Sequence, residues 1–274
     1  MSEQEPAQSE SDQPLANEDL GLFRQAVKSG DLGTVKRMLQ LYPDLLFEED
    51  DYYGDLVRAA TDLHPEVADF LARVELQRLR EGSVPDAHLY GAIHDLGEAA
   101  HVSTGYAGCE SLRLEAEPVV AGFLTHAEPQ IRYIAVSVLT VHWDLRHYVD
   151  ALMRMSMNDP DEWVRQIAIS GIGVLLQGSQ DRDGTRFLIG LFQNSEERSW
   201  IRQTAYDGLL EIWRGWEFAH AEYLRRLAYE QELRGAADQA PTEAERGQLE
   251  ERRARLWEEF VDWDFVARLR REEP

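Results

Sequence analysis

The stretch Asp159–Ile172 reads DPDEWVRQIAISGI. Its pattern predicts the fold of a large part of the chain. An acidic residue followed by Pro160 suits the first turn of a helix, where a carboxylate can cap and proline loses no hydrogen bond. Val164, Ala168 and Ile172 follow at intervals of four residues, so they share one helical face. The stretch therefore predicts an amphipathic helix whose apolar face packs against neighbouring helices.

Related copies of this pattern lie on both sides of the stretch. An aliphatic–arginine pair occurs three times, at Ile131-Arg132, Val164-Arg165 and Ile201-Arg202. An alanine follows each arginine by three positions and an aliphatic residue follows it by seven. The copies are 33 and 37 residues apart, which is a period typical of stacked helix pairs.

These copies resemble HEAT repeats, whose second helix opens with Asp or Pro, then an aliphatic–arginine pair, then alanine. The resemblance implies stacked antiparallel helix pairs that bind other macromolecules. It also implies that the arginines Arg132, Arg165 and Arg202 bond the turn of their own repeat or of the next one. Small residues at Gly171 and Gly208 should allow neighbouring helices to approach closely, because larger side chains would overpack the seam.

A second period lies nearer the N-terminus. Phe23, Leu56 and Leu89 stand 33 residues apart, and Leu22–Leu39 reads as a helix, a tight turn at Gly30-Asp31 and a second helix. This segment resembles an ankyrin repeat in its helix–glycine–helix order and in its period. The Thr-Pro-Leu-His start of that family is absent, so the resemblance implies ankyrin-like helix pairs without complete β-turn fingers.

We predict an all-α protein, an α-solenoid of stacked antiparallel helix pairs that are ankyrin-like first and HEAT-like afterwards. The predicted organisation is a disordered acidic tail, ankyrin-like helical pairs, a junction, HEAT-like repeats and C-terminal capping helices, at residues 1–19, 20–97, 98–118, 119–216 and 217–274. In the C-terminal cap, Thr242 and Glu245 form a capping-box signature. An apolar stripe in the same cap is formed by Phe218, Ala221, Leu224 and Ala228.

The formal net charge of -23 restricts the class of partner. It argues against nucleic acid, whose phosphates need clustered Lys and Arg, and it permits a protein with a cationic surface. Surplus acid that merely keeps the protein soluble is the alternative. There is no apolar run long enough for a membrane span and no secretion signal, so we expect a cytoplasmic protein. The single cysteine, Cys109, excludes a disulfide framework.

Two sets of residues are candidates for contact with a protein partner. The first set is an acidic and aromatic interval between the first two helix pairs, at Glu48, Glu49, Asp50, Asp51, Tyr52, Tyr53 and Asp55. In the ankyrin family this interval is the protruding finger, and tyrosine adds contact area at low entropic cost; a solvated loop is the alternative. The second set is Trp163 and Trp200, which occupy the same repeat position and form either an exposed aromatic strip or part of the core.

No motif predicts catalysis, a metal or a cofactor. The sequence has no Gly-rich phosphate loop, no nucleophile elbow and no His-Glu-x-x-His. His142 and His147 are five residues apart, which suits adjacent helical turns poorly, and His88, His94 and His101 have no ligand spacing.

We therefore predict a non-enzymatic protein-interaction solenoid with no catalytic residues, no metal site and no cofactor. The most specific form of this prediction is a bacterial immunity protein that neutralises a cognate toxin with a cationic surface. The alternatives are an adaptor or scaffold subunit of a multiprotein assembly and a lyase-like HEAT-repeat enzyme.

Overall fold

The computed structural model describes residues 17–47, 60, 63–101, 108–240 and 242–271, and the regular elements in these ranges are all helical. This confirms the predicted all-α class of packed helix pairs. The chain divides into two compact units, residues 1–143 and 144–274, here called unit 1 and unit 2. The α-helices of the described ranges are α1 Asn17–Ser29, α2 Leu32–Leu41, α3 Pro65–Glu81, α4 Leu89–Ala99, α5 Cys109–Gly122, α6 Pro129–Ser137, α7 Val149–Asn158, α8 Glu162–Leu175, α9 Arg182–Gln193, α10 Ser199–Arg214, α11 Trp216–Asp238, α12 Glu243–Glu259 and α13 Trp263–Arg271.

Unit 1 begins with the helix pair α1–α2 that the sequence predicts. The chain reverses at Gly30, whose φ of 74° lies in the left-handed region that glycine adopts at little cost. Asp31 then caps α2, because its carboxylate accepts a hydrogen bond from the Thr34 N–H at 3.0 Å. Phe23 and Val35 are fully buried. The helix–glycine–helix order is thus present, and the ankyrin resemblance of this pair stays a prediction.

The rest of the unit 1 core is built around α4. This helix packs against α3, against α6 and against the π-helical turn Val138–His142 that continues α6. Leu71 of α3 and Ile93 of α4 are fully buried in this core. The same two helices also bury two acidic side chains, Glu75 and Asp95, which amphipathic patterning alone would assign to the surface.

Unit 2 contains the helix pairs α7–α8, α9–α10 and α11–α12, followed by α13. The second helices of the first two pairs, α8 and α10, lie side by side. They approach each other closely at Gly173 and Gly208, where a Cβ added to Gly173 would lie 2.8 Å from the Gly208 Cα. The small residue expected at Gly208 therefore does allow close helix packing.

The three repeat arginines bind backbone carbonyls, as the HEAT resemblance implies. Each donates hydrogen bonds of 2.7 to 2.9 Å to the preceding helix end or to the turn before its own helix. The acceptors are the carbonyls of His126 and Ala127 for Arg132, of Ser156 for Arg165 and of Phe192 for Arg202. Arg165 also pairs with Glu197, which lies in the turn of the next repeat, at 2.5 Å. These arginines therefore hold turns in place within their units.

The C-terminal helices agree with the sequence at one point and differ at another. The capping box at the start of α12 is present, since Thr242 Oγ1 accepts from the Glu245 N–H at 3.2 Å. The apolar stripe of α11 is exposed, with Phe218 at 37% and Leu224 at 49%. It is exposed because α11 buries another face, which includes Arg226.

Candidate functional site

The two tryptophans of the repeat pattern lie side by side on the surface of unit 2. Each is the second residue of its helix, Trp163 on α8 and Trp200 on α10. Their ring centroids are 5.8 Å apart and their planes differ by 25°, so the rings stack. Trp163 is 69% exposed and Trp200 is partly exposed. The pair therefore presents an aromatic surface to solvent.

Hydrogen bonds near the tryptophans connect the two helices that carry the pair. Asp161 caps α8 by accepting a hydrogen bond from the Trp163 N–H at 2.9 Å. The Thr204 hydroxyl donates to the Trp200 carbonyl at 2.9 Å and accepts from Gln166 Nε2 of α8 at 3.2 Å. These contacts and the close packing of α8 and α10 position both tryptophan backbones in the absence of a partner. Such preorganisation reduces the entropic cost of binding.

Charged side chains of both signs surround the tryptophan pair. Glu162, next to Trp163, forms an ion pair of 2.9 Å with Arg198, which is close in sequence to Trp200. Arg165 and Glu197 form a second ion pair close to the first, and both of its side chains are largely buried. The exposed Glu162–Arg198 pair beside the tryptophans resembles the charged, solvent-accessible rim of many protein–protein interfaces.

The other candidate set lies outside the described residues. It comprises Glu48, Glu49, Asp50, Asp51, Tyr52, Tyr53 and Asp55. Its contact with a partner stays a prediction from the sequence.

Unit 1 contains a cluster of side chains that sequence spacing did not reveal. His94 and Glu98 lie one turn apart on α4, and His142 is the last residue of the π-helical turn. The distance from Glu98 Oε1 is 3.8 Å to His94 Nε2 and 3.4 Å to His142 Nδ1. The ring of His101 packs edge-on against His142, with centroids 5.4 Å apart. Helix packing therefore brings together residues that are far apart in the chain.

Gly97 allows His142 to reach α4. A Cβ at this position would lie 2.8 Å from Val138 Cγ2 and 3.2 Å from His142 Cγ, so a side chain would push the π-helical turn away. His142 is only 8% exposed. Burial lowers its pKa to about 4 against the opposing effect of the Glu98 carboxylate, so the imidazole is neutral at pH 7.

The two buried acids extend the cluster into the core of unit 1. Asp95 Oδ1 is 3.7 Å from His94 Nδ1, and the carboxyl group of Glu75 contacts that of Asp95. Burial is the largest cause that raises the pKa of each acid, and the charge of Asp95 and a hydrogen bond to it raise the pKa of Glu75 further. The pKa of Glu75 is therefore raised well above its usual value.

Comparison with known proteins bears on unit 2. The family model of the HEAT repeat matches at residues 149–179. This segment is therefore similar to a HEAT repeat. This segment comprises α7 and α8 and carries both Trp163 and Arg165. No curated protein and no solved structure matches the chain significantly. None of the helices in the described ranges has the length and apolar character needed to cross a membrane.

The HEAT repeat also contacts a buried acid on the neighbouring helix α10. Glu211 lies against Gly173 of the HEAT repeat, and its Oε2 makes no hydrogen bond with the described residues. Burial, and to a lesser extent the charge of Asp207, raises the pKa of Glu211 to about 8. The carboxyl group is therefore largely protonated at pH 7.

We expect Glu211→Gln to make the stability of unit 2 less dependent on pH. The pKa of Glu211 is raised on folding. The protonated side chain therefore contributes stability that is fully present below the unfolded pKa and is lost as pH rises to the folded value of about 8. The variant should be more stable than wild type by about 4 kcal/mol at pH 8.5 and by only about 1 kcal/mol at pH 5.

Urea unfolding followed by tryptophan fluorescence would measure this difference. Six of the seven tryptophans lie in unit 2, so the signal reports mainly on that unit. A difference between variant and wild type that is the same at both pH values would contradict the prediction.

Proposed function

We propose that this protein binds another protein through the Trp163–Trp200 pair of unit 2. The observation that carries the proposal is an exposed, stacked tryptophan pair on two adjoining helices. Tryptophan is strongly enriched among the residues that dominate binding energy, and large exposed aromatic surface is unusual without a partner. The HEAT repeat supports the proposal, because repeats of this family generally mediate protein–protein interactions.

A narrower form of the proposal specifies the partner. The net charge of -23 favours a protein with a cationic surface, since opposite charge accelerates association. We therefore propose a bacterial immunity protein that covers a cognate toxin in the cytoplasm, where the single Cys109 suits a reducing compartment. The ankyrin-like pair α1–α2 and the acidic interval that follows it are proposed to contribute a second contact region.

We expect Trp163→Ala and Trp200→Ala each to weaken binding of the partner by about 30-fold, because interface hot spots contribute about 2 kcal/mol or more. The partner would be identified by capture from the native host on the full-length wild-type protein. Its affinity would then be measured with purified components. Far-UV circular dichroism should be unchanged, since Trp163 makes little contact with the core.

The matched control for these variants is Trp216→Ala. Trp216 is also exposed, at 48%, and lies outside the Trp163–Trp200 pair. It should leave the affinity within about twofold of wild type, as is typical of residues outside a hot spot. Equal losses in all three variants, or no loss in the first two, would disprove the proposed site.

The toxin hypothesis has its own test. Co-expression of the chain with the captured partner should restore growth if the partner is toxic, and the association rate should fall steeply with added salt. Capture of a non-toxic subunit of an assembly would exclude the toxin hypothesis and leave the tryptophan surface unaffected.

A further inference from the structure

We infer that His94, Glu98 and His142 of unit 1 bind a divalent transition-metal ion. The inference concerns a different unit from the proposed partner surface and does not depend on it. It rests on the position of three donor groups, on the way their side chains are oriented and on the burial of one of them.

The three donor atoms are close enough to share one ion. All of them lie within 4.8 Å of one another, and the two distances to Glu98 Oε1 are 3.8 and 3.4 Å. In a tetrahedral zinc site with bonds of about 2.0–2.2 Å, neighbouring donor atoms are about 3.3 Å apart. Small torsional adjustments of the two imidazoles would therefore bring the donors to bonding distance.

The donor set selects a class of metal. Two imidazoles and one carboxylate suit zinc, iron(II) and other divalent transition metals, whereas magnesium and calcium prefer oxygen donors alone. Three protein ligands leave a position for water on a tetrahedral ion. His101 supplies a further imidazole beside that set, since its ring packs against His142.

The side chain of His94 has the orientation that metal-bound histidines adopt. Its Nδ1 faces Asp95 Oδ1 at 3.7 Å, which leaves Nε2 directed at Glu98. A carboxylate behind the histidine commonly fixes the tautomer and orientation of the ring in metal sites. Asp95 is in turn held by the buried Glu75. These groups would orient His94 from inside the core once the 3.7 Å contact with Asp95 shortened to a hydrogen bond.

His142 supplies an independent indication. The residue is 92% buried, and its Nδ1 makes no hydrogen bond with the described residues. A buried polar atom without a hydrogen bond costs about 1–3 kcal/mol, and a metal ion directly in front of it would remove that cost. His142 also ends a π-helical turn, a rare element that often marks a functional site. Gly97 makes room for this turn.

The first test uses the full-length protein without a histidine tag, stripped of metal with EDTA and titrated with Zn²⁺ by calorimetry. We expect one ion per chain, a rise in melting temperature with Zn²⁺ and no response to Mg²⁺. Replacement of Zn²⁺ by Co²⁺ should give the visible absorption of a tetrahedral site with nitrogen and oxygen donors. A stoichiometry near zero, or an octahedral Co²⁺ spectrum identical to that of the free ion, would overturn the inference.

Variants separate this site from adventitious binding at the surface. His142→Ala and Glu98→Gln should each weaken Zn²⁺ binding by more than about 100-fold, and Asp95→Asn should weaken it by about 10-fold, as outer-shell changes do. The control is His220→Ala in unit 2, which should bind Zn²⁺ like the wild type. If His142→Ala does not fold, the nearly isosteric variant Glu98→Gln tests the metal site. Unchanged affinity in Glu98→Gln would refute the site.

Discussion

Replacing Arg226 by alanine should lower the free energy of unfolding of unit 2 by about 3–5 kcal/mol at pH 7. Arg226 is 5% exposed on α11, and its Nη1 and Nη2 donate to the two carboxylate oxygens of Asp207 on α10 at 2.9 and 2.7 Å. The amide oxygen of Gln203, oriented toward the guanidinium, accepts two further hydrogen bonds. The substitution therefore removes the group that joins the two helices and leaves a carboxylate without its counter-ion.

The expected loss depends on pH. Burial already raises the pKa of Asp207, and Arg226 is the group that opposes this increase. In the variant the folded-state pKa of Asp207 should rise further, so stability is retained below the unfolded pKa and is lost as pH rises through the folded pKa. The difference from wild type should therefore be smaller at pH 4 than at pH 7.

The measurement is urea unfolding with tryptophan fluorescence at the two pH values. Arg225→Ala is the matched control, since Arg225 is exposed and its ion pair, with Glu222 at 2.6 Å, lies within its own helix. Its guanidinium also lies 5.0 Å from the centroid of the Phe260 ring. The control should therefore cost no more than about 1 kcal/mol. The double variant Arg226→Ala with Asp207→Asn should recover part of the loss, because no charge is then left unpaired. Equal losses for Arg225 and Arg226 would show that the pair with Asp207 is not the cause.

Replacing Gly173 by valine should destabilise unit 2 by about 3 kcal/mol. The added Cβ would lie 2.8 Å from the Gly208 Cα, which is backbone and cannot rotate away, and it would also collide with the Glu211 carboxyl group. The helices α8 and α10 would have to separate. This separation would also displace Trp163 relative to Trp200.

The control for this substitution is Gly190→Ala on α9. A Cβ at Gly190 meets no atom within 4 Å, and alanine is favoured over glycine in a helix by roughly 0.5–1 kcal/mol. It should therefore leave the protein equally or more stable in the same urea experiment. A stable Gly173→Val variant would mean that the seam between α8 and α10 is more adaptable than its backbone contact indicates.

The recurring arginine pattern was predictable because each element of it is local. A capping residue, an aliphatic–arginine pair and an alanine three positions later all act within one helix and the turn before it. The resemblance to HEAT repeats implied that Arg132, Arg165 and Arg202 bond nearby turns, and each arginine does bind nearby backbone carbonyls. The same argument explains why the capping box at Thr242 was found from spacing alone.

The orientation of the tryptophans could not be decided in the same way. A residue in the first turn of a helix can face the core or solvent, depending on how far the preceding helix extends. Helix spacing also gave no sign of the histidine cluster, since His94 and His142 belong to separate elements that pack closely at Gly97. The apolar stripe with Phe218 is exposed for a related reason, because α11 packs through its other face.

The sequence by itself determined the helical class and the repeat period, and its resemblance to HEAT repeats implied the local role of the arginines. Only the tertiary structure decided that Trp163 and Trp200 stack at the surface, that Glu75 and Asp95 are buried and that three metal-binding side chains converge. The physical reason is that periodicity records which residues share a face of one helix. It does not record which faces of different helices meet, and that choice depends on side-chain volume and close approach at positions such as Gly97 and Gly173.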